Sequence, residues 1–253
     1  MKVVFIGAGN LATRLSYEMH RKGFEIVQLF SQSKESAEAL ANCLQCDYTT
    51  SLQEVRNDAE LYIFAVKDSV LEEVLQAMPH NKGLWVHTAG SIPMDIFAPY
   101  VSRFGVFYPL QTFSKNRECD FSSIPFFIEA HTAQDCSLLK KAASELSTKV
   151  IDASSEQRKH LHLAAVFANN FANHMFAIAS RLVEEQGLPF DALQPLIAET
   201  AEKIRILHPL QAQTGPAMRY DENVMNNHLS LLNDENLREI YRLLSKSIYD
   251  HSK

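Results

Sequence analysis

The sequence predicts an α/β chain, a doubly wound and mostly parallel sheet followed by an all-α C-terminal domain. Three observations predict it. A strand, a glycine turn and a helix open the chain around Gly7-Ala8-Gly9-Asn10-Leu11-Ala12. Apolar β-type runs then alternate with helical patterns as far as Ile151. From Ser155 onward every periodic segment reads helical. The shift in composition near 151–155 sets the expected boundary, a sheet domain over 1–152 and a helical domain over 153–253.

The glycine turn follows Val3, Val4, Phe5 and Ile6 and precedes a helical pattern at Leu11, Leu15 and Met19. In that context a G-x-G-x-x-A pattern binds a dinucleotide in a Rossmann domain. Gly7 permits the tight turn, Gly9 leaves room for a pyrophosphate, and small Ala12 lets the helix pack on the strand. The helix's first N–H groups and its macrodipole favour an anion there. Glycine turns also arise for purely structural reasons; its position between a buried strand and an amphipathic helix gives this one its meaning. Gly7, Ala8, Gly9, Asn10, Leu11 and Ala12 are the expected pyrophosphate cradle.

Gly23 ends the first helix, and 25–30 reads as the second strand. An NAD site places an acid about 20 residues beyond the glycines, on the ribose 2′-OH. Here the chain reads Ser31-Gln32-Ser33-Lys34, with no acid before Glu35. Two hydroxyls, an amide and an ammonium suit a 2′-phosphate. A charge-assisted bond to it is worth about 1.5–3 kcal/mol, a ~10- to 100-fold preference for NADP. The alternative is a polar loop entering the next helix, 34–43.

A short strand at 47–49 and a helix after Leu52 lead to 61–66, apolar throughout as a parallel strand covered on both faces should be. Ser69-x-x-Glu72 then reads as a capping box. Ligands of doubly wound sheets lie beyond the carboxyl ends of the strands. Ala65, Val66, Lys67 and Asp68 are thus candidate ribose or pyrophosphate contacts. A fifth strand, 83–87, ends at Thr88, Ala89, Gly90 and Ser91, the turn expected to approach a nicotinamide. Lys67 and Ser91 read equally as an exposed charge and a plain N-cap. Strands at 103–108, 125–130 and 150–151, with a helix near 136–146, complete the sheet.

Beyond the boundary, 156–186 reads as one helix, roughly 46 Å long at 1.5 Å per residue. Gly187 and Pro189 stop it. Asp191 is the expected cap of a second helix running to about 207, and a loop over 209–220 holds Thr214-Gly215-Pro216. Asp221 and Asp234 open two more helices. On the long helix His162, Val166, Asn169 and Asn173 fall within about 60° of one another at 100° per residue. Their surroundings are apolar nearly all round, so the segment is expected to be buried, with its polar side chains hydrogen-bonded. One reading is interhelical bonding or a wet dimer interface. The other makes His162, Asn169 and Asn173 the catalytic group of an interdomain cleft, with a histidine as acid or base near neutral pH. Arg219, Asp221 and His228 form a further polar group, in which Arg219 holds a substrate carboxylate or pairs with Asp221.

A chain of 253 residues accommodates one or two domains. Its net charge of −6 argues against nucleic acid or an anionic membrane as the main partner. No apolar run approaches the ~20 residues of a membrane span. The N-terminal apolar run is the first strand rather than a signal peptide, so a cytoplasmic location is expected. Cys43 and Cys46 form a C-x-x-C, but Cys119 and Cys136 have no matching spacing, so reduced thiols and no metal site are expected.

A Rossmann domain followed by a helical domain with one long leading helix resembles the 6-phosphogluconate dehydrogenase-like group, which includes the pyrroline-5-carboxylate reductases. More closely, the chain resembles NADP oxidoreductases that append a helical domain of unknown function. The resemblance spans the whole chain and rests on 4–12, on Tyr108-Pro109-Leu110-Gln111-Thr112-Phe113, on 164–170, and on Thr214-Gly215-Pro216 with Arg219 and Asp221. Two departures stand out. β-Hydroxyacid dehydrogenases of the group carry a lysine four residues before an asparagine on the long helix, where this chain has Ala165 before Asn169. The Gly-Pro-Ala motif of the pyrroline-5-carboxylate reductases is matched only by Thr214-Gly215-Pro216-Ala217, too late in the chain. The resemblance implies NADP-dependent redox chemistry on a small-molecule substrate, in a homodimer built through the helical domains. The alternative, to which the missing lysine points, is a non-catalytic NADP(H)-binding sensor.

Overall fold

The computed structural model describes residues 1–252. One sheet of eight strands runs in the order β3-β2-β1-β4-β5-β6-β7-β8. The strands are β1 Lys2–Ile6, β2 Glu25–Phe30, β3 Asp47–Thr49, β4 Leu61–Phe64, β5 Leu84–His87, β6 Phe104–Pro109, β7 Phe126–Ala130 and β8 Val150–Asp152. All neighbours are parallel except β6 and β7. Every residue of β4 and β5 is buried, as their continuous apolar runs require.

Alternate side chains of each strand feed two cores. Val3 and Phe5 pack with Leu15 and Met19 of α1 (Asn10–Arg21), Leu40 of α2 (Lys34–Leu44) and Leu139 of α4 (Ala133–Leu146). Val4 and Ile6 pack with Leu71 and Val74 of α3 (Asp68–Ala77) and with Trp85 and Phe97. Helices thus cover both faces, the doubly wound arrangement.

Past β8 the long helix runs as α5 (Ser155–Ala165), a π-helical turn (Val166–Phe171) and α6 (Ala172–Glu184). A reciprocal Ser154–Gln157 capping box opens it. Gly187, at φ 71°, closes it while Leu188 N donates to Val183 O and Gly187 N to Glu184 O. Helices α7 (Gln194–Ile206), α8 (Pro209–Ala212), α9 (Glu222–Leu231) and α10 (Glu235–His251) follow. Asp221 and Asp234 cap α9 and α10, accepting from Val224 N and Asn236 N. The chain divides into two compact units, one over Met1–Asn173 and one from His174 onward. The first stretch of the long helix therefore belongs with the sheet.

Several local expectations are corrected. After Leu52 there is only a 3-10 turn, Leu52–Glu54. The Gln28 side chain donates to Glu54 O at 3.1 Å and accepts from Arg56 N at 2.8 Å, taking both groups from any helix. The Ser69 capping box does not form, because α3 already begins at Asp68. Asp191 sits inside a 3-10 turn, Phe190–Leu193, rather than capping α7. The segment expected to be buried is open in the single chain: Leu163, Phe167 and Phe171 are 57, 63 and 49 % exposed. The chain itself does not cover them. Among the described residues no helix is long and apolar enough to cross a membrane.

Candidate active site at the carboxyl edge of the sheet

The strand order sets β2, β1, β4, β5 and β6 side by side. Backbone bonds continue the ladder past their carboxyl ends: Gly7 N donates to Phe30 O at 2.8 Å, Ala65 N to Ile6 O at 2.8 Å and Thr88 N to Phe64 O at 3.2 Å. The turn 7–12, the corner 31–34, and the segments 65–67 and 88–89 are thereby brought to one edge. Gly7 has φ +121°, and a Cβ there would collide with the Ala65 carbonyl. Gly9 differs. Its φ is an ordinary −77°, and nothing lies within 4 Å of where its Cβ would be. The chain itself does not require glycine at 9, whereas a pyrophosphate on the backbone would. The first bond of α1 is Thr13 N to Gly9 O, and no side chain caps the helix. Donors ahead of it are left for an anion.

At the next corner Ser31 Oγ accepts from Ser33 N and Ser33 Oγ from Ser36 N. Both hydroxyl protons stay available beside exposed Lys34. These residues fit the pyrophosphate and 2′-phosphate of NADP.

The turn after β5 is held from three sides. His87 is buried, stacks on Phe97, and accepts at Nδ1 from Ala89 N at 3.2 Å. Burial, helped by the Arg158 charge, pushes its pKa down to about 3. Ser91 Oγ donates to Asp68 Oδ2 at 2.5 Å, joining the ends of β4 and β5, so Ser91 is no N-cap. Arg158 of α5 is fully buried; its Nε donates to Ala89 O at 3.2 Å and its Nη2 to Ile92 O. Its Nη1 lies 2.6 Å from Glu129 Oε2 of β7. That carboxylate also accepts from Ser155 N and Oγ.

One helical turn beyond Arg158, His162 rests on Gly90, where a Cβ would come within 2.5 Å of Nδ1. The same Nδ1 is 3.2 Å from Tyr108 Oη at the end of β6. Burial raises the Tyr108 pKa, so the hydroxyl keeps its proton.

Residues 2–87 match the model of a family described as NADP oxidoreductase, coenzyme F420-dependent, and 124–248 match a domain of unknown function (DUF2520). A Bacteroides fragilis protein described as a “putative NADP oxidoreductase” is 53% identical over 98% of each chain, with a TM-score of 0.92. This chain belongs to the NADP oxidoreductase family. A Thermotoga maritima protein (22% identity, 99% of each chain, TM-score 0.83) shares the fold. So does a 1-pyrroline-5-carboxylate reductase from Streptococcus pyogenes (15% identity, 100% of this chain and 98% of that one, TM-score 0.66). No curated protein matches in sequence.

In this family member the polar stripe is not continuous. Asn169 lies in the π turn and Asn173 just beyond it; both are exposed, with no side-chain hydrogen bond among the described residues. A π turn, with i→i+5 bonds, breaks the even rotation on which the stripe was counted. His162 is brought to Tyr108 and Gly90 instead. Sequence reasoning missed Tyr108 and Arg158 as site residues, and had Gly90 only as part of the turn after β5. Tyr108 carried a usable signal, since it ends a strand on the edge where the other candidates sit. The further polar group does not assemble: Arg219 has no ion pair among the described residues, Asp221 is spent on its cap, and His228 bonds Tyr241. Cys43 and Cys46 are free thiols, and burial pushes Cys46 up to about 11.

The depressed His87 pKa has a stability consequence. Between about 6.5 and about 3 the unfolded chain binds a proton that the folded chain refuses. The melting temperature should therefore be flat above pH 6.5 and fall as pH drops through that window. Calorimetry on His87→Gln should show a shallower acid-side decline; an unchanged slope would count against buried neutral His87 as its source.

Proposed function

We propose that this chain transfers a hydride between NADPH and a small carbonyl, imine or alcohol. The observation that carries the reading is the placement of His162 over Gly90 and against Tyr108, at the strand ends that also present the cofactor candidates. The name of the 53%-identical protein supports the cofactor. NADPH supplies the hydride, with its electron pair, to the carbon of the C=O or C=N group. The chain's residues bind, orient and protonate. Gly7 to Ala12 cradle the pyrophosphate, with Ala65, Val66 and Lys67 beside it. Ser31, Gln32, Ser33 and Lys34 take the 2′-phosphate. Thr88 and Ala89 border the nicotinamide, and His162 gives the substrate heteroatom its proton. Asn169 and Asn173, farther along the helix, hold polar atoms of the substrate.

A second reading, a non-catalytic NADP(H) sensor, draws on Ala165 standing where β-hydroxyacid dehydrogenases carry lysine. One assay separates the two. NADPH, and NADH more weakly, should be oxidised against some member of a panel of small carbonyls and imines. His162→Ala should lower kcat by ~10²–10⁴-fold, with NADPH affinity and melting temperature little changed, and Lys34→Ala should erase the preference over NADH. Binding of NADPH without turnover across the panel would favour the sensor.

We also propose that a second copy covers the helical unit, within a cytoplasmic homodimer. Among the described residues from 160 onward, only Ala217 and Leu232 are buried apolar side chains. Phe176, Leu196, Ile204, Ile206, Leu231 and Leu243 are all exposed. An apolar surface of that extent marks an association face. Sedimentation at micromolar concentration should return a dimer; a stable monomer would refute the assembly.

A further inference from the structure

We propose that Tyr108 is a positioning residue that fixes the tautomer of His162, so that Nε2–H is the group offered to the substrate. The inference rests on the reading of His162 as the proton donor and deepens it: as Nε2 passes its proton to the heteroatom, Nδ1 takes the phenolic proton of Tyr108, and solvent reprotonates the phenolate. A neutral imidazole donates from one ring nitrogen and accepts at the other, and the partner of one nitrogen decides which. Nδ1 of His162 lies 3.2 Å from Tyr108 Oη, and heavy-atom geometry alone allows either group to donate. The surroundings break the tie. Tyr108 is only 7 % exposed, and among the described residues its hydroxyl has no hydrogen-bond partner other than His162. If Nδ1–H donated to Oη, the phenolic proton would be left in a buried place with no acceptor, a penalised arrangement. If the phenol donates, both atoms are satisfied and the imidazole proton goes to Nε2.

The ring is also held against turning over. Its Nδ1, Cγ and Cβ edge lies on Gly90, where a Cβ would come within 2.5, 2.7 and 2.9 Å of those three atoms. Nε2 is on the other edge and has no hydrogen-bond partner among the described residues. Gly90 thus supplies the space, Tyr108 the proton that occupies Nδ1, and Arg158 the anchored turn on which the ring sits. One nitrogen is engaged by the protein and the other is kept for a ligand.

The tautomer can be read without any turnover. In the full chain labelled with ¹⁵N-histidine, two-bond ¹H–¹⁵N correlation at neutral pH, assigned with His162→Gln, should show a pyridine-like Nδ1 and a pyrrole-like Nε2. In Tyr108→Phe the two signals should move toward an average of both tautomers. In the NADPH assay the same variant should lose at least ~10-fold in kcat, with NADPH affinity and melting temperature unchanged. Gly90→Ala, which displaces the ring, should reproduce that loss. A wild-type His162 protonated at Nδ1 overturns the proposal, and needs no variant to fold. So does a Tyr108→Phe protein that keeps both the wild-type pattern and the wild-type kcat. Absence of turnover in the wild type overturns the functional reading and the catalytic part of this proposal with it, and the separate NMR result tells that failure from the others.

Discussion

A buried guanidinium has to be neutralised and its donors used, and this requirement at Arg158 organises the site. Its ion pair with Glu129 and its bonds to the carbonyls of Ala89 and Ile92 join α5, β7 and the turn after β5 at one point. Removing one partner of such a pair typically costs about 3–5 kcal/mol, because the other charge is left buried and alone. The turn 88–92 is therefore no free loop. His162 lies one helical turn beyond Arg158, so the anchor that fixes the turn also fixes where the imidazole stands over it. The unit containing the sheet consequently extends to Asn173, well into the long helix.

Two glycines two positions apart show how internal and external causes can be separated. Gly7 is demanded by the chain itself, through its positive φ and the Ala65 carbonyl behind it. Gly9 is demanded by nothing in the chain: its backbone is ordinary and the space above it is empty. A residue whose missing side chain the protein does not need is explained by what approaches it. The open first turn of α1 and the hydroxyls of Ser31 and Ser33 both leave donors suited to an anion.

What the sequence disclosed was local. The glycine turn, the buried runs of β4 and β5, the Gly187 stop and the caps at Asp221 and Asp234 depend on neighbours within a few residues, and all were legible. Where a distant side chain intervened, local reading failed. Gln28 takes the backbone groups of Glu54 and Arg56 and leaves only a 3-10 turn after Leu52. The Arg158 bonds reach back 66 and 69 residues to backbone carbonyls, which no side-chain pattern encodes. His162 was legible as a polar residue in an apolar helix, but its partner was sought along that helix. The π turn ends the even rotation, and the partner proves to be Tyr108, 54 residues earlier at a strand end.

In the proposed site the carboxyl edge holds NADP with its nicotinamide beside His162. The most direct measurement is a crystal structure of the chain grown with NADP⁺. That structure should show the pyrophosphate on the 7–12 turn, the 2′-phosphate at Ser31 to Lys34, and the nicotinamide against Thr88 to Gly90 with His162 Nε2 facing the same space. A dinucleotide bound away from that edge, or one whose nicotinamide lies remote from His162, would contradict it.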